Sequence, residues 1–162
     1  MKINIIGGGT WGTTLACLLA ENNSINIWVR SSNKALSFNS SRKHPHLPNL
    51  IIPENINFIH HTDELGVSDL TIIATPSHCI NNVIKSLNIS VTKYLIASKG
   101  FDLNTNNFIT DLLHDNFNID LNDIAVLSGP NHAEEIINKK ASATVIASKN
   151  LNFAKDLQSL FS

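Results

Sequence analysis

Lys2-Ile3-Asn4-Ile5-Ile6-Gly7-Gly8-Gly9-Thr10-Trp11-Gly12 is the stretch on which the fold turns. Lys2 to Ile6 is an apolar β-forming run. After the glycines, Thr10 to Asn22 carries Leu15, Leu18 and Leu19 at helical spacing, the pattern of a helix that lays one face on a sheet. Between them, Gly7, Gly9 and Gly12 satisfy G-x-G-x-x-G at a strand-to-helix turn. In that setting Gly7 permits the tight turn, Gly9 lets backbone reach a diphosphate, and Gly12 allows close helix–strand packing, helped by the small Ala16. The first-turn N–H groups lack intrahelical partners and the helix dipole adds partial positive charge. The expected ligand is therefore the pyrophosphate of a dinucleotide. A triphosphate-binding loop is excluded, because no Gly-Lys-Ser/Thr follows.

Working outward, apolar β-formers alternate with amphipathic stretches along the whole chain. This alternation predicts an α/β fold: a doubly wound, mainly parallel Rossmann sheet with helices on both faces. Strands are expected at residues 2–6, 25–30, 70–75, 94–97, 124–127 and 143–147. Helices are expected at 10–22, 77–87, 105–114, 131–138 and from Leu151 to the end. Residues 40–57, with Pro45, Pro48 and Pro53, read as a long extended loop. At 162 residues without linker composition or internal repeat, the chain reads as one domain. The last helix runs into the C-terminus without a glycine stop, so the chain is expected to be a fragment.

Twelve basic and thirteen acidic side chains leave a formal charge of −1, which provides no positive field for nucleic acid or anionic lipid. The first segment, broken by Asn4 and three glycines, is neither a signal sequence nor a membrane span. Cys17 and Cys79 lie far apart with no CxxC spacing, in keeping with a reducing, cytoplasmic setting. Seven histidines include His44 and His46 around Pro45 and the pair His60-His61. No cysteine or acid completes either set, so no metal site is expected. His78, after the strand ending at Thr75, is expected to serve as a polar residue at a helix start.

At the end of the second strand an acid usually meets the ribose hydroxyl of NAD, but here the chain reads Trp28-Val29-Arg30-Ser31-Ser32. Arg30 with Ser31 suits a 2′-phosphate instead, which favours NADPH over NADH. Lys99, between Ser98 and Gly100 at a strand end, sits where open α/β sheets bind ligands and offers a cation to an anionic substrate. Ser128-Gly129-Pro130 likewise follows a strand and precedes a helix, so its N–H groups are candidates to hold an anion.

Gly7 to Ala16, Ile27-Trp28-Val29-Arg30, Ala74-Thr75-Pro76-Ser77-His78, Ser98-Lys99-Gly100 and Leu127-Ser128-Gly129-Pro130 together resemble the cofactor domain of bacterial-type NAD(P)-dependent glycerol-3-phosphate dehydrogenase. The resemblance implies interconversion of dihydroxyacetone phosphate and glycerol 3-phosphate with NADPH or NADH, feeding phospholipid synthesis, in a full-length homodimer. It implies cofactor contacts at Gly7, Gly9, Thr10, Trp11, Gly12, Arg30, His46, Pro76, Lys99 and Ala133, and substrate contacts at Lys99, Gly129 and Asn131. Two departures stand out: His46 replaces an aromatic, and Asn131-His132 replaces a Ser/Thr followed by an aromatic. The family's proton-transferring Lys belongs to a helical C-terminal domain absent here, so the chain alone is expected to be inactive. Other two-domain dehydrogenases, of the ketopantoate reductase or 6-phosphogluconate type, and a non-catalytic NAD(P)-sensing module are the rival readings.

Overall fold

Alternation within the strands decides how the layers assemble, because successive side chains point to opposite faces of a sheet. The computed structural model describes residues 1–87 and 93–162. In chain order, β1 (Lys2–Ile6) leads through α1 (Thr10–Leu19) and a 3-10 turn (Ala20–Asn22) to β2 (Ser24–Trp28). Next come α2 (Ser32–Ser41), a hairpin of β3 (Lys43–His44) and β4 (Leu47–Ile51), and β5 (Ile56–Ile59). The second half runs β6 (Leu70–Ile73), α3 (Ile80–Ser86), β7 (Tyr94–Ile96), α4 (Ile109–Phe117), β8 (Ile124–Ser128), α5 (Ala133–Ile137), β9 (Val145–Ser148) and α6 (Leu151–Leu160).

Among the described residues the main sheet has seven strands in the order β5-β2-β1-β6-β7-β8-β9. All neighbours are parallel except β9, which runs antiparallel to β8 with Ala125 opposite Ser148 and Ser128 opposite Val145. One face carries Ile3, Ile5, Ile25, Ile27, Leu70, Ile72 and Leu95, covered by Leu15, Ala16 and Leu19 of α1, Ala35 and Phe38 of α2, and Phe153 and Leu157 of α6. The other carries Ile6, Ile73, Ile96 and Ile124 under Ile80 and Ile84 of α3 and Ile109, Leu112 and Leu113 of α4. Each fully buried isoleucine contributes about 1.5–3 kcal/mol of transfer free energy. The doubly wound, mainly parallel sheet expected from the alternation is the one observed.

The expected loop at 40–57 is corrected: it contains the end of α2, the β3–β4 hairpin and the start of β5. The helix α2 was not anticipated because it is rich in Ser and Asn and buries only Ala35 and Phe38. It ends at Arg42, which takes a left-handed conformation (φ 52) and donates its N–H to Phe38 O. The Arg42 guanidinium then ties the hairpin to the next strand through Ile56 O at 2.6 Å and Glu54 O at 3.1 Å. The helix expected at 105–114 starts later, at Ile109. Before it, buried Asp102 accepts from the Thr105 amide (3.1 Å) and hydroxyl (2.8 Å), and Asn106 is left-handed (φ 57), which holds the segment as a loop. The helix expected at 131–138 shortens to α5.

Edge strand β5 is closed by a side chain. The Asn39 carboxamide of α2 donates to Phe58 O at 2.7 Å and accepts from Phe58 N at 2.9 Å, occupying backbone groups an edge leaves unpaired. Asn39→Ala is expected to lower the unfolding free energy by about 1–3 kcal/mol, measured by urea denaturation.

Candidate functional site

The site lies over the end of β1, which borders the point between β1 and β6 where the winding of the sheet reverses; in open α/β sheets this is where ligands bind, beyond the carboxyl ends of the strands. The sheet's hydrogen bonds carry the strand ends past their formal limits. Gly7 N donates to Trp28 O (3.1 Å), Ala74 N to Ile6 O (2.9 Å), and Ala97 N to Ile73 O (2.9 Å). Ser98 Oγ donates to Ile73 O (3.1 Å) and Thr75 O (2.6 Å), locking the end of β7 to that of β6.

The glycines differ in the space around them. Gly7 has φ +120, and a Cβ there would stand 2.8 Å from Ala74 O, so a side chain is barred by both conformation and space. A Cβ on Gly12 would overlap the Gly7 carbonyl oxygen and come within 3.3 Å of the Ala74 Cβ. In front of Gly9, by contrast, nothing lies within 4 Å of an added Cβ. Gly9 is exposed and is the N-cap of α1, with no side-chain cap and no acid in the first turn. The helix mouth is thus bare toward a cleft of about 400 Å³, and such a cradle fits a diphosphate.

That cleft brings together Gly7, Gly9, Arg30 and Pro76 of the expected residues, and adds Lys34, His78, Cys79 and Val83. Lys34 escaped notice because α2 did; the available signal was Ser31, which caps that helix by accepting from Lys34 N (3.4 Å). Arg30 is exposed at the cleft wall. Thr10, Trp11 and Gly12 form the first turn of α1. The Trp11 indole N–H donates to Ala97 O at 3.1 Å, fastening the helix to the end of β7.

The remaining expected residues lie elsewhere. Lys99 is exposed just after β7, and Asn131 follows β8, the adjacent strand. Asn131 is buried with its Oδ1 unpartnered, and its backbone N donates to Gly129 O at 2.9 Å. Ala133 opens α5 and packs against the core. This helix has five residues and carries Glu134 and Glu135 in its first turn, which opposes an anion there. His46 lies in a separate shallow pocket with Pro48, Glu134 and Asn138.

Among the described residues three titratable groups are displaced from their ordinary values, one of them the Tyr94 hydroxyl, which burial pushes up. Burial pushes the Cys17 thiol up to about 11, which makes it inert. His44 is only 2% exposed; burial, then the positive charges of Lys34 and His46, lower its proton affinity, and the Gly8 backbone carbonyl partly offsets them.

The family described as NAD-dependent glycerol-3-phosphate dehydrogenase N-terminus matches residues 2–154. The chain belongs to this family. The glycerol-3-phosphate dehydrogenase [NAD(P)+] of Clostridium botulinum (strain Eklund 17B / Type B) is 33% identical over 166 residues, covering 99% of this chain and 49% of its own length. That of Bacillus anthracis (strain CDC 684 / NRRL 3495) is 31% identical over 167 residues with the same coverage. The chain therefore spans about half the length of the curated glycerol-3-phosphate dehydrogenases it matches. In fold it is similar to the crystal structure of glycerol-3-phosphate dehydrogenase from Coxiella burnetii, with a TM-score of 0.83 and 24% identity over 99% of this chain and 50% of that one.

Two outcomes follow from the site. Gly9→Ala, which meets only open space, is expected to leave the melting midpoint unchanged, whereas Gly12→Ala is expected to cost about 1–3 kcal/mol through overpacking; thermal denaturation of both separates them. His44 is harder to protonate in the folded chain than in the unfolded one. Its stabilising contribution is therefore complete above the ordinary value of 6.5 and is lost as pH falls from there toward the lowered folded value. Urea midpoints across that window are expected to fall with pH, with a slope that His44→Gln reduces.

Proposed function

We propose that residues 1–162 form the cofactor-binding domain of a glycerol-3-phosphate dehydrogenase that interconverts dihydroxyacetone phosphate and glycerol 3-phosphate. The observation that carries this reading is the bare α1 mouth at Gly9, opening on the cleft it shares with Arg30 and Lys34. A reduced nicotinamide nucleotide, when bound, supplies the reducing equivalent. The chain's own residues bind and orient it. The amides of the first turn of α1 receive the diphosphate, with Gly7, Gly9 and Gly12 making room and Thr10 and Trp11 forming the rim. Pro76 lines the same cleft after β6. His46 and Ala133 complete the cofactor contacts that family membership suggests.

Substrate phosphate is assigned to the loops after β7 and β8. Lys99 offers a compact cation there and contacts both substrate and nicotinamide, while Gly129 and Asn131 supply polar contacts; the orphaned Asn131 Oδ1 is an acceptor without a partner in the chain. The proton-transferring group is assigned to the half of the relatives' length that this chain does not span. Cys17 and Cys79 are both free, which supports a cytoplasmic, reducing setting.

NADPH is the favoured cofactor. No acid stands at the end of β2 to meet a ribose 2′-hydroxyl, and Arg30, Ser31 and Lys34 line the wall instead. By calorimetry, NADPH is expected to bind more tightly than NADH. Arg30→Ala and Lys34→Ala are each expected to weaken NADPH about tenfold, equivalent to about 1.4 kcal/mol, with NADH affinity almost unchanged. Equal affinities for the two nucleotides in the unsubstituted chain overturn the preference, and binding of neither overturns the cofactor assignment.

A further inference from the structure

A lysine that faces the cleft is steadied from behind by an aromatic ring. Lys34 and Phe38 stand about one turn apart on α2, the spacing at which side chains of a helix meet. The Lys34 Nζ lies over the Phe38 ring, 5.3 Å from its centroid, within the range in which an ammonium is drawn to the negative face of an aromatic system. The ring is itself fixed. Phe38 is 3% exposed, packs edge-on to Phe58 with 4.7 Å between centroids, and has the His44 ring at 5.1 Å. Phe58 in turn borders the glycine loop, its Cε1 3.4 Å from where a Cβ on Gly8 would stand. The ring beneath Lys34 is therefore anchored to the β5 residue that the loop rests near.

Lys34 is exposed and lines the cleft together with Arg30 and Ser31, and the described residues of that lining include no acid. A long, exposed ammonium ordinarily samples many rotamers, and ordering it against an anion costs conformational entropy. An ammonium that already rests on a ring face keeps its other side open and has less freedom to lose on binding. We propose that Phe38 is a positioning residue for cofactor choice: its ring face holds the Lys34 ammonium at the cleft wall, where it meets the 2′-phosphate of NADPH, a group that NADH lacks. The role rests on the reading that Arg30 and Lys34 receive that phosphate. Phe38 is buried and lies outside the cleft lining, so it acts on the ratio of the two affinities through Lys34 alone.

Calorimetry with NADPH and NADH is the test, beginning with the unsubstituted chain. Phe38 is then replaced in turn by monofluoro-, difluoro- and trifluorophenylalanine, which keep the shape of the ring while drawing electron density from its face. The NADPH-to-NADH affinity ratio is expected to fall stepwise, by about threefold at the trifluoro ring, with NADH affinity unchanged. In a Lys34→Met background, which keeps the stem and removes the charge, the same series is expected to leave the ratio flat. A flat ratio with Lys34 in place, a ratio that rises, or equal losses for both nucleotides refutes the positioning role while leaving the cofactor reading standing. A slope that persists in Lys34→Met refutes it as well. Equal affinities in the unsubstituted chain overturn the NADPH preference on which the role rests, and binding of neither nucleotide overturns the cofactor assignment.

Discussion

The closeness of α1 to the end of β1 governs this structure. Because position 12 carries only hydrogen, the first turn of the helix can rest against the Gly7 carbonyl and the Ala74 side chain, and the helix axis is thereby aimed at the carboxyl edge of the sheet. A single methyl group at that position is incompatible with the contact. The reversed φ of Gly7 and the Trp11 bond to Ala97 belong to the same device: one turns the chain out of the sheet, the other fastens the helix across to β7. Together they leave Gly9 at an uncapped helix mouth, with partial positive charge directed at open space.

Charge is distributed around that mouth in a consistent way. The first turn of α1 contains no acid, and the cations Arg30 and Lys34 stand on the wall contributed by the end of β2 and the start of α2. The helix start after β8, α5, is by contrast a short five-residue helix with two glutamates in its first turn. Both follow parallel strands, so their different electrostatics come from side chains and not from topology. An anion is favoured electrostatically at the mouth of α1 and opposed at the glutamate-bearing start of α5.

The buried polar groups near the site also follow a pattern. Trp28 Nε1 donates to His60 O at 2.9 Å while His60 Nδ1 meets Val29 O at 3.2 Å, which binds the end of β2 to the end of β5. On the same face of the sheet Asn4 reaches the Leu65 carbonyl, ahead of β6, at 3.2 Å. These bonds satisfy backbone groups at the points where the chain leaves the sheet, where an unpaired donor or acceptor is costly. The Trp28 and His60 bonds give the loops after β2 and β5 a rigid base.

The chain's own order of residues was enough to determine the α/β class, the first strand, glycine turn and helix, and the candidate phosphate loop. Those features depend on local periodicity and on glycines whose neighbours in sequence are also their neighbours in space. The second-strand cation at Arg30 and the lysine at position 99 were legible for the same reason, each standing at the end of an apolar run. Tertiary structure alone decided that Ser32–Ser41 is a helix, that the proline-rich segment folds into a hairpin, and that Lys34 joins Arg30 in one cleft. Such polar segments have weak periodicity of their own and take their form from burying two or three residues, Phe38 and His44 among them, against strands distant in sequence.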